Sequence, residues 1–379
     1  MSDRGAVLGA ADVENDELAV MVARSLGVDS VELVHSTAEV APYDLEALTT
    51  AGRYWVRGSA RHTHGTSPFV FYVKVVQSWE RSPFFAFVPV DVREIALAML
   101  PWRREPDVYR SDLASRLPTG LSMPTAYAVV DVDPMSAAIW LQAIDVSDAE
   151  WDVARYADAA YLLGRLAADP AVAPIGSIGD VGSVPRQYAA GRLAHQVLPA
   201  LRDDQLWAHP LVSSTFDGGL RAGLESAADA LTGHLDELDA VPLGTFHGDA
   251  CTRNLLVPRD GDDRFVLIDF GFWGRGPLGF DLSQLLVGQV QTGERPASCL
   301  PALEEACVPA YLRGLRDEGV DVAEDLLRRA HALLVLEFAG LSAIPIEHLD
   351  GPPTPERLRV ARERASMTRF ILDLVATTA

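Results

Sequence analysis

Between Thr245 and Leu286 the chain reads TFHGDACTRNLLV, a Gly/Asp turn, RFVLIDFGFWGRG and then GFDLSQLL, a succession of loop, turn, strand, loop and helix. Val266, Leu267 and Ile268 form a short apolar run with β-branched members, bounded by the turn at 261–263 and by Gly271, which predicts a buried strand. Asp269 closes that strand. A carboxylate at the end of a buried strand costs free energy unless it is hydrogen-bonded, paired or bound to a metal, and metal is the natural partner here. Twenty residues upstream stands Asp249, with Asn254 five residues beyond it.

His-x-Asp-x-x-x-x-Asn, followed by a hydrophobic residue and Asp-Phe-Gly, is the spacing of a kinase catalytic loop and its metal-binding strand. Phosphoryl transfer asks little covalent work of a protein, so such a site supplies a carboxylate to accept the proton of the attacking hydroxyl and oxygen ligands for Mg²⁺ on the nucleotide phosphates. Asp249 suits the first role; Asn254 and Asp269 suit the second. His247-Gly248-Asp249 with Asn254, Ile268-Asp269-Phe270 and Gly279-Phe280-Asp281-Leu282 resemble the Brenner-type signature of the aminoglycoside phosphotransferase and choline kinase-like superfamily, small-molecule relatives of the protein kinases. The resemblance implies an α+β, two-lobed protein-kinase-like fold, with a small antiparallel-sheet N-terminal lobe and a larger, mainly helical C-terminal lobe. It implies ATP or GTP with Mg²⁺ as cofactors and transfer of the γ-phosphoryl group to a small-molecule hydroxyl. His247 and Asp281 take structural roles in this family pattern, Asp281 by holding the catalytic loop through hydrogen bonds.

One oddity of composition bears on the same site. Lys74 is the only lysine of the chain although arginine is abundant, and Asn15 and Asn254 are the only asparagines. A compact ammonium on phosphate oxygens is a task for which Arg is no substitute, and it is the task of the kinase strand lysine. The lone Lys and one of the two Asn thus fall where a kinase needs them.

Taken in order, residues Asn15 to Leu26 have helical periodicity with acids in the first turn and a stop at Gly27, and read as a brace on the first lobe. Val31 to Val34 reads as a strand. The runs Tyr54 to Gly58 and Phe69 to Val76 predict an antiparallel hairpin with Lys74 on its second strand. A protein-kinase glycine-rich loop is absent, Gly52 and Gly58 being isolated. Arg93 to Leu100 is a short helical pattern. Arg104-Glu105 opens a longer one running to Pro118, and Glu105 is the favoured partner for Lys74. Thr125 to Val130 and Ala137 to Ile144 read as strands, and by position the backbone of Gln142 to Ile144 would meet the adenine edge. This places the lobe boundary between residues 143 and 144, giving lobes 1–143 and 144–379. Trp151 to Ala168 should be the central helix of the larger lobe. Gln187 to Leu201 and Leu220 to Leu238 form a helical insert, and Leu282 to Val290, Leu303 to Arg316, Val322 to Leu341 and Arg357 to Val375 complete the lobe. Glu337 interrupts an apolar helix, as a paired core acid or a substrate contact, the first being the commoner solution.

Nearly half the residues are apolar, enough for two cores, and the net charge of −21 argues against nucleic acid as a partner. A cationic or neutral small molecule with a free hydroxyl fits better, such as an aminoglycoside-like antibiotic or an amino sugar, with antibiotic resistance as one physiological setting. Three cysteines without metal spacing, no leader and no long apolar run lead to the expectation of a cytoplasmic protein, monomer or homodimer, without membrane association. Two other classes compete. A nucleotide-binding pseudokinase or regulator need not keep Lys74, Asp249, Asn254 and Asp269 together. A protein kinase needs an activation segment, and the nine residues 272–280 between Gly271 and Asp281 leave no room for one.

Overall fold

The computed structural model describes residues 4–43, 47–262 and 264–379. Position 263, the last residue of the Gly/Asp turn, lies outside them. The chain divides into two compact units, the first comprising Met1–Arg116, Ser122–Ser147 and Pro258–Phe272, the second Leu117–Leu121, Asp148–Val257 and Trp273–Ala379. The segment carrying Asp269 belongs to the first unit.

The first unit is a five-stranded antiparallel sheet braced by a helix. Helix α1 (Asn15–Leu26) carries Asp16 and Glu17 in its first turn and Arg24 in its last, and Gly27 ends it at φ 65°, a left-handed position that glycine adopts without a Cβ penalty. Strands β1 (Glu32–Val40), β2 (Thr50–His62), β3 (Gly65–Gln77), β4 (Ala126–Asp133) and β5 (Ser136–Gln142) lie in the order β1-β2-β3-β5-β4. The hairpin expected around Lys74 is present and longer at both ends. Leu18, Met21 and Val22 of α1 pack with Val56, Phe71, Val73 and Trp140 of the sheet, and Trp140 Nε1 donates to the Ala11 carbonyl at 3.2 Å.

Strand alternation sends Phe71 and Val73 to that core and Tyr72 and Lys74 to the other face. On β3, Lys74 is in register with Arg53 of β2 and Ile139 of β5. Helix α2 (Arg104–Arg110) is shorter than the pattern running to Pro118. Ser111 turns extended at ψ 176°, and its hydroxyl donates to the Val108 carbonyl at 2.6 Å while accepting from the Leu113 N–H at 3.2 Å. This local competition for backbone partners ends the helix, and only a short 3₁₀ turn, Leu113–Ser115, follows.

The second unit is mainly helical. Helix α3 (Val153–Ala168) starts where the Asp152 carboxylate accepts the Arg155 N–H at 2.8 Å. A two-stranded antiparallel pair, β6 (Leu243–Phe246) with β7 (Gly274–Pro277), leads into the loop that begins at His247. Helices α4 (Phe280–Gln291), α5 (Leu300–Asp317), α6 (Glu324–Val335) and α7 (Pro355–Thr377) follow. The insert differs in detail from its periodicity. Ala189–Val197 is a π-helix, and the second stretch breaks at Ala230 into Gly218–Asp229 and Leu231–Asp239. The helix expected to run to Leu341 ends at Val335 and continues as a second π-helical segment, Leu336–Gly340.

Candidate active site

In the first unit, Lys74 Nζ lies 2.7 Å from Glu105 Oε2 and 3.0 Å from Asp269 Oδ1. Both members of the Lys74–Glu105 pair are buried, while the Asp269 side chain is one-third exposed, at 33%. Helix α2 builds this cluster from one face. Glu105 reaches Lys74, Tyr109 one turn later sets its ring edge-on against Phe270 at 5.4 Å, and Arg104 Nη1 donates to the Gly271 carbonyl at 3.1 Å. The same helix therefore fixes the ammonium and the Asp269-Phe270-Gly271 turn. Asp269 has φ 65° and is the only non-glycine residue with positive φ among the described residues. Asp tolerates this region better than most side chains, and such conformations gather at functional sites.

The electrostatics follow from two acids around one base. Burial works to lower the Lys74 pKa, but the charges of Asp269 and Glu105 outweigh it and hold the ammonium above its ordinary value. Burial pushes Glu105 up to about 7, against the pull of the Lys74 charge. These tendencies oppose each other for the ionised pair. The bidentate contact to an ammonium that keeps its proton favours the charged form of Glu105.

In the second unit, Asp281 is buried in the first turn of α4, and its oxygens accept the His247 and Gly248 N–H groups, each at 2.8 Å. Burial pushes the Asp281 carboxyl up to about 7, the two N–H donors pulling it down and the nearby Asp249 charge adding to the rise. His247 is fully buried, and its Nδ1 accepts the Asp249 N–H at 3.3 Å, which assigns the ring proton to Nε2. Asn254 Nδ2 donates to both the carbonyl and Oδ2 of Asp249, each at 2.9 Å. The loop is therefore closed on itself and clamped from α4, with the Asp249 carboxylate set by Asn254.

The sequence profile of the phosphotransferase enzyme family, abbreviated APH, matches residues 110–317, more than half of the chain. The chain belongs to this phosphotransferase family. A search of curated proteins finds no match. Among solved structures, an aminoglycoside phosphotransferase from Alicyclobacillus acidocaldarius is similar at 16% identity and TM-score 0.51, over 90% of this chain and 96% of that one. A microcompartment-associated aminopropanol kinase is similar at 14% identity and TM-score 0.48, over 90% and 93%. The first of these shows the fold, which is the α+β phosphotransferase fold expected. The chain is thus a small-molecule kinase by family.

Set against this phosphotransferase family, the sequence-derived residues fall into two groups. Lys74, Glu105 and Asp269 come together in the first unit, and His247, Asp249, Asn254 and Asp281 in the second. Gln142 and Ile144 are a different case. The Gln142 N–H is bonded to the Thr125 carbonyl at 2.9 Å, and its side-chain oxygen accepts the Thr125 N–H at 3.3 Å, while Ile144 lies beyond the end of β5. For Mg²⁺, the donor chemistry fits. The Asn254 amide nitrogen is held by Asp249, and among the described residues its amide oxygen, the atom a metal would take, has no hydrogen-bond partner. Among the described residues no group of three or more His, Cys, Asp or Glu is placed to hold a metal by itself.

Sequence reasoning missed Arg104 and Tyr109, although the four-residue spacing of Glu105 and Tyr109 on one helix was the available signal. It missed the aromatic chain of the second unit as well. Phe246, just before His247, stacks on Phe280 at 4.1 Å, and Phe280 meets Phe338 edge-on at 5.0 Å. Glu337, expected as a paired core acid or a substrate contact, has no hydrogen-bond partner among the described residues at either carboxylate oxygen although it is 2% exposed.

Proposed function

We propose that this phosphotransferase moves the γ-phosphoryl group of ATP or GTP to the hydroxyl of a small molecule. Asp249 accepts the proton of the attacking hydroxyl, and Lys74 holds phosphate oxygens. Asn254 and Asp269 offer oxygens to Mg²⁺, which when bound would offset the charge of the nucleotide phosphates. The observation that carries this reading is the Lys74–Glu105–Asp269 cluster, in which the chain's single lysine sits between two carboxylates. Two carboxylates around one ammonium leave negative charge over, and Asp269, the more exposed of the two, is the one that could share its charge with a second cation. Asp281 and His247 act as positioning groups: they fix the loop so that the Asp249 carboxylate needs little rearrangement during transfer. The sparse cysteines suit a cytoplasmic enzyme, and among the described residues no helix is long and apolar enough to cross a membrane.

The test separates binding from chemistry. Asp249→Ala should leave nucleotide-dependent thermal stabilisation nearly intact while turnover falls by about a hundredfold or more. Unchanged turnover in this variant would remove Asp249 from the mechanism. Nucleotide binding by the wild-type protein without turnover on any hydroxylated compound would favour a nucleotide-binding regulator instead.

A further inference from the structure

The second unit holds a cavity of about 490 Å³, the size of a pocket for a drug-sized molecule. Most of its wall is apolar, with Leu201, Leu206, Phe338, Leu341 and Ile344 among the lining residues. Both π-helical segments contribute to it, Ala189–Val197 through Arg192 and Leu336–Gly340 through Phe338. They are locked together by Tyr188, whose ring stacks on Phe338 at 4.5 Å and whose hydroxyl lies 3.2 Å from that of Ser342. π-helical turns are rare and mark functional positions more often than chance.

The cavity is also joined to the catalytic loop. Gln284 and Gln291 of α4 line it. Between them, Gly288 passes so close to the loop that a Cβ there would lie 3.0 Å from the Cys251 Cβ. The same helix supplies Asp281 to the loop, and the Phe246–Phe280–Phe338 chain runs from the residue before His247 to the cavity wall.

Charge decides what the cavity would admit. Its charged lining residues are Arg192, Glu347 and Arg364. Arg364 pairs with Glu347 at 2.7 Å and donates to the Gln291 carbonyl at 2.7 Å. Arg192 has no acid partner among the described residues and is exposed. Glu337, next to Phe338 in the chain, is held uncharged at neutral pH by burial, which pushes it up to about 9, so it does not balance Arg192. A polycation would meet an apolar wall and one acid already engaged by Arg364, an unfavourable match despite the chain's overall negative charge.

We infer that this cavity receives the acceptor, and that the acceptor is an alcohol with an apolar body and a carboxylate, the carboxylate meeting Arg192. This rests on the phosphotransferase reading above for the role of the hydroxyl, and it makes Arg192 a specificity-determining residue. The acidity of the whole chain suggested a cationic acceptor; the local charge of the cavity points the other way.

Calorimetric titration tests it with ω-hydroxydecanoate, ω-aminodecanol, decanol and the polycation kanamycin. The wild-type protein should bind ω-hydroxydecanoate about tenfold tighter than ω-aminodecanol, and Arg192→Glu should reverse that order. A wild-type preference for ω-aminodecanol or kanamycin, a ranking unchanged by Arg192→Glu, or no binding of any probe overturns the inference. Turnover of Mg·ATP by the same wild-type preparation with a panel of hydroxylated compounds reads the underlying phosphotransferase proposal separately, since its absence there leaves the probe ranking as an independent result.

Discussion

Lys74 shows how much one side chain can carry. Its ammonium is surrounded at 2.7 Å and 3.0 Å by two acids, and a guanidinium in its place would need a planar fork where the structure offers a point-charge position. Lys74→Arg should therefore lower kcat/KM by about a hundredfold with the fold intact, and steady-state kinetics alongside circular dichroism would check it. Full activity in that variant would show that the solitary lysine is an accident of composition. Glu337 gives a second prediction at this scale. Burial raises its carboxyl from the ordinary 4.5 to about 9, so the folded chain keeps a proton that the unfolded chain releases. Its contribution to stability is then fully present below about pH 4.5 and falls as pH rises toward about 9. Glu337→Gln removes this dependence. Between pH 6 and pH 8.5, denaturation midpoints should shift in favour of the variant, by on the order of 1 kcal/mol per pH unit at most. Parallel curves for the two proteins would mean that Glu337 is ionised and partnered.

Among the elements, the crossing of α3 and α5 sets the tightest constraint. A Cβ at Gly164 would collide with the Tyr311 carbonyl oxygen, and one at Gly314 with the Tyr161 carbonyl oxygen, so each helix needs glycine where the other's backbone passes. Gly164→Ala should destabilise the protein by about 2 kcal/mol or more, the scale of an overpacked core. A chemical denaturation curve matching the wild type would contradict that close approach. What could be read in advance differs from element to element. The extent of α1 was legible because first-turn acids, amphipathic periodicity and the stop at Gly27 agree. The early end of α2 was not, because the apolar spacing continues through Leu113 and Leu117 while Ser111 captures backbone groups locally. The π-helical turns left no mark in the pattern either, since one extra residue per turn is set by tertiary packing such as Tyr188 on Phe338. Polar site residues stood out because each has a chemical type and a spacing; the cavity did not, because its wall uses ordinary apolar residues.

At the scale of the whole molecule, 53 acids against 32 Lys and Arg leave a net charge of −21, while what any one site binds depends on its local field rather than on that sum. A ligand that binds only the folded chain stabilises it by mass action. Mg·ATP at about 100 times its Kd should therefore add roughly 2.7 kcal/mol and raise the melting temperature by a few degrees. Chelation of the metal with EDTA should remove most of that gain, and Asp269→Ala should lose it. A shift indifferent to EDTA would mean that nucleotide binding does not involve a metal. The central claim is transfer of the γ-phosphoryl group to a small-molecule hydroxyl with Asp249 as the proton acceptor. Its most direct test is to incubate the protein with Mg²⁺, γ-labelled ATP and a panel of hydroxylated compounds that includes ω-hydroxydecanoate. Label should appear in a product heavier by one phosphoryl group with the wild-type chain and be reduced by about a hundredfold or more with Asp249→Ala. Label transferred equally by both proteins, or found in no small molecule, would contradict the account.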